Sequence, residues 1–95
     1  MMKPDEFREQ LRLGGYEIVS RDIEPHHALG QHHHPWDVWG MVTEGTFTIE
    51  PAGSISHTYH KGEIFSLHAM VEHTEQAGPE GASILVGRRM PEQTS

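Results

Sequence analysis

Turn-forming residues interrupt this chain at short and even intervals, and that spacing limits its fold more than any other feature. Gly14-Gly15, Glu44-Gly45, Pro51-Ala52-Gly53-Ser54, Lys61-Gly62 and Gly78-Pro79-Glu80-Gly81 are turn signals. Between them lie β-like runs at 16–24 (ending at Pro25), 36–43, 46–50, 55–60, 63–67 and 82–86. In the run 46–50, Phe47 and Ile49 alternate with polar residues and share one face. Short strands separated by turns every ten or so residues are the mark of an all-β sandwich or barrel. No long helical period separates them, which excludes alternating βαβ units.

One helix is expected, over residues 4–13. Pro4 suits the first turn, Asp5 and Glu6 complement its positive end, and Phe7 and Leu11 lie one turn apart on a single face. Gly14-Gly15 stops it. A helix this short does not hold in water alone, so Phe7 and Leu11 are predicted to dock it on the barrel. The chain therefore divides into an N-terminal helix (1–15), a barrel (16–90) and a frayed tail (91–95).

With 95 residues the chain makes one domain with a small core. Seven Lys and Arg oppose fourteen Asp and Glu, a net charge of −7, and that balance excludes binding to a phosphate backbone. No apolar run approaches the roughly 20 residues that cross a bilayer. The first residues carry no apolar stretch, so no signal peptide is expected. There is no cysteine, which excludes disulfides, thiolate metal sites and a thiol nucleophile. A reducing cytoplasm is the expected location.

Nine histidines are the unusual number. Three are consecutive, His32-His33-His34, just ahead of a strand. In extended backbone alternate side chains share a side, so His32 and His34 converge while His33 points away. Two imidazoles on one face form half of a metal site for zinc, iron, copper or nickel. His73, which opens the polar strand His73-Thr74-Glu75-Gln76, is the best third ligand; His57, His60 and His68 are rivals by residue type alone. The competing readings are a surface histidine pair and a histidine-rich metal buffer with several weak sites.

The segment from Gly30 to Gly45, GQHHHPWDVWGMVTEG, resembles the first cupin motif, which carries His-x-His, a carboxylate three or four residues on, and a glycine after six more. The segment from Gly62 to His73 resembles the second motif at Gly62 and His73, while His68 replaces its usual proline and Met70 its usual glycine. The family's glutamate falls on Val38, and the nearest carboxylate, Asp37, is one residue off; only a bulge would turn it inward. The resemblance implies an antiparallel jelly-roll β-barrel and a divalent metal ion (zinc, nickel, iron or copper) held by His32, His34 and His73.

Such a site keeps open positions, which suits a metal-dependent enzyme acting on a small oxygenated substrate, or a non-catalytic module that binds or senses a small ligand. Glu72 or Glu75 beside His73 is placed to orient an imidazole or to act as a base. Trp36, Trp39, Met41, Phe47 and Phe65 are expected in the core or lining the barrel, and Gly40 marks a close approach inside a strand. A small core with open strand edges predicts a homodimer.

Overall fold

The expected helix forms at Pro4–Leu13 and is followed by six antiparallel strands: β1 Glu17–Ile23, β2 Ala28–His32, β3 Asp37–Pro51, β4 His57–His60, β5 Ile64–Leu67 and β6 His73–Arg89. The computed structural model describes residues 2–91. The tail beyond 91, expected to be frayed, lies outside the described residues. No described helix is long and apolar enough to cross a membrane.

β3 and β6 pair along nearly their whole length, from Asp37 opposite Arg89 to Pro51 opposite His73. The first part of β3 and the last part of β6 are flanked by β5 and β1; the other halves are flanked by β4 and β2. Two four-stranded layers result, joined through β3 and β6, and the core lies between them. Ile23, Val38, Val42, Phe65, Ile84 and Val86 come from one layer; Phe47, Ile49 and Ala77 come from the other. This is the expected jelly-roll barrel.

Two expected turns have a different role. Glu44-Gly45 and Gly78-Pro79-Glu80-Gly81 do not reverse the chain; they are corners within β3 and β6. At each corner the inward phase shifts by one residue. β3 buries Val38 and Val42 before its corner and Phe47 and Ile49 after it, while β6 buries His73, Glu75 and Ala77 and then Ala82, Ile84 and Val86. The pairing skips Thr43 just before Gly45, as a β-bulge does, and just after it leaves Thr46 opposite the four residues 78–81. Gly45 (φ 73°) and Gly81 (φ 79°) supply the left-handed backbone. They also touch, since a Cβ on Gly45 would lie 2.0 Å from the Gly81 carbonyl oxygen.

The helix packs on the outer face of the layer that carries β1 and β5. Phe7 and Leu11 are fully buried against Met41 and Leu85. Trp39 meets Phe7 edge to face at 5.0 Å. Met41 and Trp39 thus serve the helix side of the sheet, whereas Phe47, Phe65 and Trp36 serve the interior. Gly40 makes the expected close approach: a Cβ there would lie 2.3 Å from the Phe65 ring.

Replacing Gly45 with Ala should lower unfolding free energy by about 3 kcal/mol, because strained φ and a backbone clash coincide. The matched change Gly53→Ala has the same φ problem in open space and should cost about 1 kcal/mol. Urea titration of both variants checks the difference.

Candidate metal centre

The histidines meet because of a strand that turn signals did not reveal. β2 pairs with β6 and places His32 directly opposite His73, after a bulge between Leu29 and His32. His34 lies two residues beyond His32, so its ring returns to the same side, while His33 is exposed and sits 3.9 Å from Glu72. The His34 carbonyl accepts the Met70 backbone N–H at 2.7 Å, which fixes the chain past the strand end. Ring centroids are 4.3 Å apart for His32 and His73, 5.0 Å for His32 and His34, and 5.4 Å for His34 and His73.

Glu75 completes the group. One ligand atom from each of His32, His34, His73 and Glu75 falls within 4.8 Å of all the others. Glu75 Oε2 lies 2.8 Å from His73 Nε2 and 3.3 Å from His32 Nε2. The pattern His73-x-Glu75 is the same alternation as His32-x-His34, one residue skipped on an extended strand. The sequence signal was therefore present, although it suggested an orienting group or a base and not a member of the cluster itself.

The other candidates do different work. Asp37 Oδ1 accepts the Ala69 N–H at 2.7 Å and braces the loop after β5. His68 is exposed in that loop, beside a surface groove bordered by Tyr16, Asp37 and Arg89. His57 is exposed and packs at a tilt against Tyr59, with ring centroids 4.4 Å apart, and His60 is exposed at the end of β4.

Hydrogen bonds fix how two of the rings present themselves. His32 Nδ1 donates to the Gly30 carbonyl at 2.7 Å and His73 Nδ1 donates to the Val71 carbonyl at 2.9 Å. Carbonyl oxygens only accept, so both Nδ1 atoms carry hydrogen and both Nε2 atoms face Glu75. His73 and Glu75 are buried, with 1% and 8% of their surface exposed. For Nε2 to bond the carboxylate, a further proton must sit between them, on the ring or on the acid. A buried acid is tolerable only when compensated in this way, by a proton or by a cation.

His34 is held differently. Its ring stacks on Trp36, with centroids 5.2 Å apart and planes 8° from parallel. Burial holds its pKa below the usual value, the neighbouring His32 and His73 push the same way, Glu75 opposes them, and Arg21 adds to the lowering. The ring is thus neutral at neutral pH and keeps a lone pair to offer. Beside the cluster, a cavity of about 80 Å³ opens into the barrel. His34 and Glu75 border it, and Val38, Phe47, Phe65 and Val86 form apolar walls.

The sign of the His34 shift gives a test. The native state binds fewer protons at this ring than the unfolded chain does, so the stability linked to it is complete above about pH 6.5. It is lost as the pH falls through 6.5 toward the lower native value. Between pH 7.5 and 5.5 the metal-free protein should lose urea resistance, and His34→Gln should lose less; equal losses would contradict the assignment.

Comparison with known proteins agrees with this architecture. No family model matches the chain, and no curated protein matches it in sequence. Solved structures do. A cupin-2 domain protein from Shewanella frigidimarina is 22% identical with a TM-score of 0.65, over 87% of this chain and 92% of its own. A protein of unknown function from Rhizobium leguminosarum bv. viciae is 23% identical with a TM-score of 0.75, over 83% of this chain and 74% of its own. An oxalate oxidase is 24% identical with a TM-score of 0.70; the match covers 80% of this chain and 42% of that enzyme. At these identities the likeness establishes the fold: a small cupin barrel, as the two sequence motifs implied.

Proposed function

We propose that this chain is a metal-binding cupin barrel in which His32, His34, His73 and Glu75 hold one divalent cation and the adjoining cavity receives a small oxygenated molecule. The observation that carries the reading is the convergence of four ligand atoms from β2, the loop after it and β6 within 4.8 Å. The donors fit an ion. Bonds of about 2.1 Å place neighbouring ligand atoms about 3.0 Å apart in an octahedron and about 3.4 Å apart in a tetrahedron. Glu75 stands 2.8 and 3.3 Å from the two imidazoles.

Glu75 changes the chemistry expected from three histidines alone. Imidazoles suit zinc, iron, copper and nickel, and a carboxylate adds a hard oxygen that also admits manganese. It lowers the net charge of a divalent site from +2 to +1. The bound ion would supply Lewis acidity toward an oxygen ligand. The chain's own residues hold the rest in place: Gly30 and Val71 orient two rings, and Trp36 packs the third.

One observation favours binding or sensing over turnover. The ionisable residues bordering the cavity are His34, Glu75, Arg21 and Arg88. Two belong to the ligand set, and arginine does not give up its proton near neutral pH. No separate general base is left among the described residues that line the cavity, so any reaction would have to rely on the ion itself.

Zinc titration by calorimetry tests the reading. Wild type should bind one equivalent and release at least one proton, read from the dependence of the heat on buffer ionisation. Glu75→Gln should weaken binding about tenfold or more, and His32→Ala with His73→Ala should abolish it. Affinity should fall as pH drops through about 6. Unchanged binding in the double variant would sink the proposal.

A further inference from the structure

A charged residue outside the histidine group borders the same cavity without a partner. On β1, Ile18 packs beneath the helix whereas Ile23 belongs to the interior core. Val19 and Arg21 share the parity of Ile23 and line the cavity with His34 and Glu75. Arg88 also lines it, but that guanidinium is ion-paired with Glu17 and lies 4.8 Å from the centre of the Trp36 ring. Arg12 is paired with Glu9, and Arg89 donates to the Gly14 carbonyl. Arg21 is exposed and, like Arg8 on the outer face of the helix, has neither an ion pair nor a side-chain hydrogen bond among the described residues; of these two it is Arg21 that borders the cavity.

An unpaired guanidinium at an apolar cavity is a ready binder of a planar anion, because its fork of donors matches a carboxylate in two bonds. The chain's net charge of −7 otherwise repels anions, which makes a local cation necessary for admitting one. The cavity also limits size: at about 80 Å³ it has roughly half the volume of a site that takes benzene. We propose that Arg21 is a specificity-determining residue that binds the carboxylate of a short-chain acid, with a tail of a few carbon atoms lying against Val38, Phe47 and Phe65. The inference rests on the metal reading, since Glu75 borders the same cavity and would repel a carboxylate unless a cation offsets it.

The test uses the full chain loaded with cobalt(II), with lactate as the probe and lactamide as its neutral counterpart. Cobalt is titrated first, followed by each probe, with calorimetry and the visible cobalt spectrum as readouts. Wild type should bind lactate more tightly than lactamide. Arg21→Gln should weaken lactate at least tenfold, leave lactamide unchanged, and keep cobalt affinity within twofold. Arg8→Gln, on the outer helix, removes the same charge elsewhere and should match wild type. Equal lactate binding by Arg21→Gln and wild type overturns the inference alone, as does a wild type that fails to prefer lactate. Failure of wild type to take up cobalt overturns the metal reading and this inference with it, before any probe is added.

Discussion

The antiparallel pairing of β3 with β6 is the constraint on which the rest depends. Each strand belongs to both layers of the barrel, so each must turn a corner without losing its partner. The corners at Gly45 and Gly81 lie against one another, and each shifts the inward phase by one residue. That shift puts His73, Glu75 and Ala77 inward on one half of β6 and Ala82, Ile84 and Val86 inward on the other. Without it, a strand that buries Ile84 and Val86 would aim His73 and Glu75 at solvent. The same backbone device therefore closes the core and builds the polar cluster.

The cluster tolerates burial because its charges are compensated within it. Glu75 is almost wholly withdrawn from water, and the imidazoles of His32 and His73 face it. Their outer nitrogens are committed to backbone carbonyls, so the rings cannot turn away without breaking those bonds. His34 is kept neutral by burial and by its companions. Four possible ligand atoms are thus held together by the fold itself, and a set ordered in advance lowers the cost of binding any ion proposed for it.

Much of this was legible in the residues. The helix bounds, the buried pair Phe7 and Leu11, and the Phe47–Ile49 face follow from periodicity, which acts locally. The His-x-His alternation and the position of His73 gave the three rings that the structure brings together. The corners were legible as glycines but not as corners, because a left-handed residue serves a tight turn and a bulge equally well. β2 was hidden since Ala28-Leu29-Gly30-Gln31-His32 has little apolar alternation and is held mainly by its ladder with β6. Glu75 was read as an orienting group or a base and not as a member of the cluster, because the family pattern places its carboxylate in the first motif, and here that position is Val38, a core residue. Asp37, one residue earlier, faces away and holds Ala69.

The central claim concerns a single first coordination sphere, so the most direct measurement is X-ray diffraction at a metal absorption edge from crystals grown with one equivalent of zinc. The account predicts one anomalous peak, bonded to Nε2 of His32, Nε2 of His73, a ring nitrogen of His34 and a carboxylate oxygen of Glu75. An ion lodged elsewhere, or one bound to these histidines with Glu75 turned away, would contradict it.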